Sequence, residues 1–127
     1  MVMELSALAS GSSGNCFYIS NENSAVLIDA GISAKQALTR LAQIGADIKK
    51  IKALFITHEH IDHTRGADVL ARKLNIPIFA TKATIKSSFL CSDESLINSI
   101  TNNQTLKIGE LNVQAFAKFH EASDPVS

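Results

Sequence analysis

Apolar residues fall in short runs along this chain, parted by polar, glycine-bearing turns. Met3–Ala9 (MELSALA) and Cys16–Ser20 (CFYIS) read as strands on either side of the turn Ser10-Gly11-Ser12-Ser13-Gly14-Asn15. The polar stretch Asn21–Ser24 leads into Ala25–Asp29 (AVLID), a short apolar run that predicts a third strand buried on both faces. Short turns between three strands predict an antiparallel meander. The period changes at Ser33. Leu38, Leu41 and Ile44 recur at helical spacing, Ser33 and Gln36 make a capping-box pair, and Gly45 ends the helix. Ala53–Thr57 (ALFIT) predicts another buried strand. Ala67, Leu70, Ala71 and Leu74 place a helix over Gly66–Leu74, stopped by Asn75 and Pro77. Pro77–Ala80 reads as a short strand and residues 83–90 as a helix, while 91–104 carry no clear pattern. Thr105–Ile108 and Leu111–Phe116 form a predicted hairpin around Gly109-Glu110. The expected architecture is mixed α/β of the α+β kind, with helices on one side of a largely antiparallel sheet.

Composition narrows the setting. A chain of 127 residues is one domain or part of a larger one, and 46% hydrophobic residues suit a packed core rather than disorder. Twelve basic and twelve acidic residues cancel, which removes any bulk electrostatic case for nucleic acid or an anionic membrane. Residues 33–90 nevertheless hold ten Lys/Arg against four Asp/Glu, and the flanks hold two against eight. Charge runs are usually solvated faces, so this basic middle suits an anionic substrate only weakly. Lys82 and Lys86 follow a strand end, where ligands of α/β sheets tend to sit; Lys49, Lys50 and Lys52 precede a strand and read as solvated. Cys16 and Cys91 lie far apart and make neither a disulfide framework nor a zinc knuckle. No secretory signal and no apolar run of the roughly 20 residues a membrane span needs are visible. A cytoplasmic protein with reduced thiols and no membrane partner is therefore expected.

The chemistry concentrates in Thr57-His58-Glu59-His60-Ile61-Asp62-His63. Three of the four histidines fall within six residues, directly after a buried strand and before a helix. His58 and His60, two apart in extended backbone, point to one side, a good start for Zn²⁺. Asp62 and His63 fall where the chain turns toward the helix and can face a second point a few ångströms away, as a two-metal site needs. The blander reading is a surface histidine cluster with Asp62 capping a helix. Ligand types, spacing and strand-to-helix context together favour metal.

This T-H-x-H-x-D-H pattern, with Asp29 at the end of an earlier strand, resembles the metallo-β-lactamase superfamily of metallo-hydrolases. Leu8–Asn15 (LASGSSGN) and His120-Glu121-Ala122-Ser123-Asp124-Pro125 narrow the likeness to its YycJ-type, nuclease-like branch. That branch usually shows H-D-A-x-D-P, and Glu121 departs from it. The resemblance implies an αβ/βα sandwich of which this chain is half. It implies that His58, His60 and His120 hold a first metal, and that Asp62 and His63 serve a second, with Asp62 as the catalytic carboxylate. Asp29 is implied as a buried acid that supports the motif loop rather than a ligand. A lone histidine after a strand is more often structural than a ligand, and the H-x-A-x-D-P context turns His120 toward ligand. Ser12, Ser13 and Asn15 are candidate substrate contacts, because backbone N–H groups of a Gly-rich loop can hold a phosphate oxygen. The same loop is open to a second reading as a plain hairpin turn.

The resemblance further implies a bridging aspartate and a final histidine from a second half. No histidine follows His120, so the chain is expected to be the N-terminal part of one domain with its C-terminal half absent. The intact protein is then expected to be a hydrolase of phosphodiester bonds, exonuclease-like, using a metal-bound hydroxide. Two Zn²⁺ ions, or Mn²⁺ in their place, serve the intact enzyme, and at most one is held tightly by this chain. Nucleic acid is the expected substrate. A homodimer, or pairing with the missing half, is expected because the sheet face turned away from the helices has no cover. The alternative is a catalytically incomplete metal-binding half-domain acting as an interaction or assembly module.

Overall fold

The computed structural model describes residues 3–11, 14–58, 60–101, 103–109 and 111–114. Six strands form one sheet in the order β1-β2-β3-β4-β5-β6: Glu4–Ala9, Cys16–Ser20, Ala25–Ile28, Ile51–Phe55, Ile78–Ala80 and Ile97–Ser99. A separate hairpin pairs β7 (Thr105–Ile108) with β8 (Leu111–Gln114). The helices are α1 (Ala34–Gln43), α2 (Ile61–Thr64), α3 (Ala67–Leu74) and α4 (Lys82–Ser87). The mixed α/β class matches expectation, and so does the meander of β1, β2 and β3.

The balance of the sheet differs from the expected one. β3–β4, β4–β5 and β5–β6 all pair in parallel, three of the five pairings. The cause is connectivity: a strand-helix-strand crossover returns the chain to the end where the previous strand began, so the next strand runs the same way. Three such crossovers follow the meander. β6 is an edge strand of three residues with a single apolar position, which leaves no alternation to read. Residues 97–99 therefore carried no strand signal.

Alternation along the central strands divides two cores. Leu27, Leu54, Ile56 and Ile78 pack on Ala37, Leu41, Leu70 and Ala71 of the helices. Val26, Ala53 and Phe55 point the other way and pack on Leu111, with Leu106, Ile108 and Val113 of the hairpin against them. Phe55 and Phe79 stack there at 5.2 Å. The expectation of a bare second face is thus corrected, since β7 and β8 fold back over it. An apolar groove of about 350 Å³ remains beside the hairpin, lined by Leu5, Phe17, Ile19, Ile28 and Val113 among others. In α1, Ile44 lies past the last helical residue and is exposed, so Ala37 and Leu41 carry the buried stripe. Lys50 is not simply solvated: its ammonium donates to the Asn21 carbonyl at 2.6 Å, tying the β2–β3 turn to the start of β4.

Candidate metal centre

The site forms where two neighbouring parallel strands end. β3 and β4 pair with Ile28 opposite Phe55, so the residues that follow each strand emerge side by side. At the carboxyl ends of parallel strands the backbone leaves the sheet, and its groups become available to ligands. Asp29, predicted as the last residue of a strand, instead turns into the left-handed region at φ 63°. Aspartate tolerates that region better than most side chains. Its amide donates to the Phe55 carbonyl at 2.7 Å. Its buried carboxylate then meets the other strand end. Oδ1 accepts the Thr57 amide at 2.7 Å, and Oδ2 accepts the Thr57 hydroxyl at 2.6 Å. Oδ2 also lies 2.7 Å from His63 Nδ1.

These contacts organise the imidazoles. With Nδ1 of His63 on Asp29, its Nε2 faces Asp62 Oδ2 at 3.6 Å. Burial disfavours a charged His63 ring, but the Asp29 hydrogen bond and the charges of Asp29 and Asp62 outweigh it and hold the pKa above its ordinary value. The Thr57 hydroxyl stands 2.8 Å from His58 Nδ1. His58 and His63 rings lie 4.4 Å apart, and His58 and His60 rings 6.4 Å apart. One ligand atom from each of Asp29, His58 and His63 falls within 4.8 Å of the others, a group able to hold a cation. The donor chemistry fits a divalent ion: imidazole nitrogens and carboxylate oxygens, with one ring oriented by a carboxylate behind it. His60 is exposed at the N-terminus of α2, and Asp62 and His63 lie within that helix.

Three loops are laced together beneath these residues. The Asn15 amide donates to the Asp62 carbonyl at 2.8 Å, and Gly31 N–H donates to Asn15 at 2.7 Å. Ala30 N–H donates to the His63 carbonyl at 2.7 Å, and Gly66 N–H to the Ala30 carbonyl at 2.6 Å. A Cβ on Gly31 would run into the Asp62 carbonyl, and one on Gly66 into that of Ile32. The part that Thr57, Gly31 and Gly66 play in joining these loops is not evident from the sequence. The signal was present only as glycines flanking the acidic and histidine motifs. The Asn15 side chain makes hydrogen bonds to the Gly11 backbone N–H and carbonyl. Ser12, Ser13 and His120 lie outside the described residues.

The chain belongs to the metallo-beta-lactamase superfamily, whose family model matches residues 9–100. It is 33% identical over 131 aligned residues to an exodeoxyribonuclease YycJ of Bacillus anthracis, covering 99% of this chain and 49% of that protein. An exodeoxyribonuclease WalJ of Streptococcus pneumoniae is 37% identical over 125 residues, covering 94% of this chain and 46% of that protein. The chain thus spans about half the length of the curated relatives it matches. Among solved structures, a subclass B3 metallo-beta-lactamase from a soil metagenome library superposes with a TM-score of 0.79 at 20% identity, covering 96% of this chain and 52% of that one. That likeness establishes the fold. Among the described residues, no helix is long and apolar enough to cross a membrane.

Proposed function

We propose that these residues form the metal-holding part of a metal-dependent hydrolase that cleaves phosphodiester bonds in nucleic acid, in the manner of an exonuclease. The observation that carries this reading is that His58, after β4, and His63, in α2, come together over the Asp29 carboxylate at the end of β3. Similarity to two exodeoxyribonucleases supports nucleic acid over lactam or thioester substrates. In this reading His58, His60 and His120 hold a first ion, and Asp62 and His63 serve a second. Zn²⁺ is the ion the nitrogen-rich set favours, with Mn²⁺ as the alternative. When bound, such ions supply the Lewis acidity that lowers the pKa of water and neutralises charge on a phosphoryl oxygen.

The chain's own residues do the positioning. Asp29 has its carboxylate engaged by Thr57 and His63, which supports an orienting role for it over ligation. The described fold is the first half of a two-sheet domain, with further ligands supplied by the second. Two protein ligands rarely hold an ion tightly, so this chain alone retains at most one strongly bound ion, which elemental analysis after gel filtration would count.

The functional test is a panel of labelled single-stranded DNA, RNA, a thioester and a chromogenic β-lactam, each given to the full-length protein with Zn²⁺ or Mn²⁺. Stepwise shortening of DNA from one end is expected, together with its loss in His58→Ala and Asp62→Ala. Turnover of the β-lactam or thioester alone would refute the nuclease reading.

A further inference from the structure

A groove of about 240 Å³ opens beside the metal motif, between α2, the start of α3 and the segment that follows α4. Its near wall is Ile61, which stands in sequence between His60 and Asp62. The groove is therefore lined by a residue of the motif itself. Phe89 also lines it. Ile61 is 61% exposed and Phe89 67% exposed, although the residues that follow Phe89, Leu90 and Cys91, are buried. The backbone of Phe89 is anchored while its ring is left to solvent. Solvating an aromatic ring forgoes the stabilisation that burial would give it.

The polar lining has one sign to offer. Arg65 is exposed along the groove. Among the described residues, the only carboxylate lining it, Asp68, is already engaged by the Arg72 guanidinium at 2.9 Å and by the Ser92 amide and hydroxyl at 2.8 and 3.0 Å. Ser88 donates its hydroxyl to the Thr84 carbonyl at 2.8 Å. An accessible aromatic ring, an exposed aliphatic side chain and an exposed cation match the needs of an unpaired nucleotide. A base stacks by its π-face, and its phosphate takes the charge. A base inside a duplex has both faces covered and cannot stack there.

We infer that the Ile61–Phe89 groove takes one unpaired base of a single-stranded nucleic acid, stacked on Phe89, with a neighbouring phosphate on Arg65. This deepens the proposed function, because it rests on nucleic acid being the substrate at the adjacent site. It assigns the choice of single strand over duplex to residues outside the metal ligands.

These 127 residues hold no tryptophan, so Phe89→Trp adds an indole at the groove, read as the difference between the variant's emission and the parent's. Full-length metal-loaded protein would be titrated with a short phosphorothioate oligothymidine, which resists cleavage. Stacking is expected to quench the indole emission, and Phe89→Trp to bind within a few-fold of the parent. Phe89→Ala is expected to weaken binding by about 10-fold, within the range found for loss of one base–aromatic stack. An abasic oligomer of equal length should not distinguish the parent from Phe89→Ala. Arg65→Ala should weaken binding to both oligomers and lower the salt dependence by about one phosphate contact. Equal oligothymidine affinity of the parent and Phe89→Ala, absence of quenching, or failure of the parent to bind the oligomer would each overturn the inference. Phe89-dependent binding without any DNA hydrolysis would leave the groove assigned and refute the nuclease reading. Hydrolysis of DNA without Phe89 dependence would do the reverse.

Discussion

Asp29 shows how a single side chain sets the site. It accepts the Thr57 amide and hydroxyl and holds His63 through Nδ1, from a backbone in the left-handed region. Removing a carboxylate that orients a ligating histidine typically weakens metal binding about 10–100-fold. Asp29→Asn and Asp29→Ala should both show that loss in a Zn²⁺ titration against a chromophoric chelator. Asp29→Ala should also unfold at lower denaturant, since alanine tolerates positive φ less well than asparagine. Unchanged affinity in both variants would show that Asp29 does not orient the site. Gly31 works by what it lacks. Gly31→Ala must push the Asp62 carbonyl away, and such overpacking costs about 1–3 kcal/mol. A urea midpoint equal to the parent's would show that the loops relax freely. Cys16 is fully buried, and burial with the nearby Asp29 charge pushes its thiol pKa up to about 12. The thiolate is the reactive form. Cys16 should resist a thiol reagent at pH 8 until the chain is unfolded, as mass spectrometry of the labelled cysteines would show.

Among the elements, α3 has the clearest tie to its surroundings. Asp68 in its first turn bonds Arg72 one turn on and reaches Ser92 in the loop beyond α4. The Arg72 bond, followed by the Ser92 amide, holds the Asp68 carboxyl well below the usual carboxylate range. A depressed pKa in the folded state gives stability that is present above the unfolded value of about 4 and is lost as pH falls toward the folded one. Asp68→Ala should therefore melt a few degrees below the parent at pH 7, and the gap should close as the pH drops below about 4. A gap that stays constant with pH would mean the carboxylate charge is not what matters. These ties are not visible in the pattern of one helix, because Ser92 lies 24 residues away. Other elements were legible because their signals are local. The Ser33–Gln36 capping box forms as expected, Gly45 follows α1 at φ 74°, and Asn75 ends α3 in the left-handed region. β4 runs Ile51–Phe55 rather than Ala53–Thr57, because Ile51 already pairs with Ala25 and the exposed Lys52 after it interrupts the apolar run.

On the scale of the molecule, the two faces of the sheet are closed unequally. Helices pack along one face, and the β7–β8 hairpin covers the other only in part. Met3 and Leu5 on the open side are 64% and 69% exposed, next to the groove of Phe17, Ile19 and Ile28. Apolar patches of this kind on soluble chains are usually partner surfaces. This chain should self-associate at micromolar concentration in sedimentation velocity, and Leu5→Glu should shift it toward monomer. A monomer in both cases would show that the hairpin suffices as cover.

The sequence alone determined what depends on neighbours along the chain: strand and helix periods, caps, the hairpin, and the grouping of three histidines and an aspartate after a buried strand. The link to Asp29 came from resemblance to a known motif. Tertiary structure decided what depends on residues far apart. Parallel pairing of β3 and β4 brought Asp29 within hydrogen-bond reach of Thr57 and His63, 28 and 34 residues away. Folding back of the hairpin covered part of a face expected to be bare. The glycines that let three loops approach could not be recognised until those loops met, because the contact a Cβ would violate belongs to a distant carbonyl.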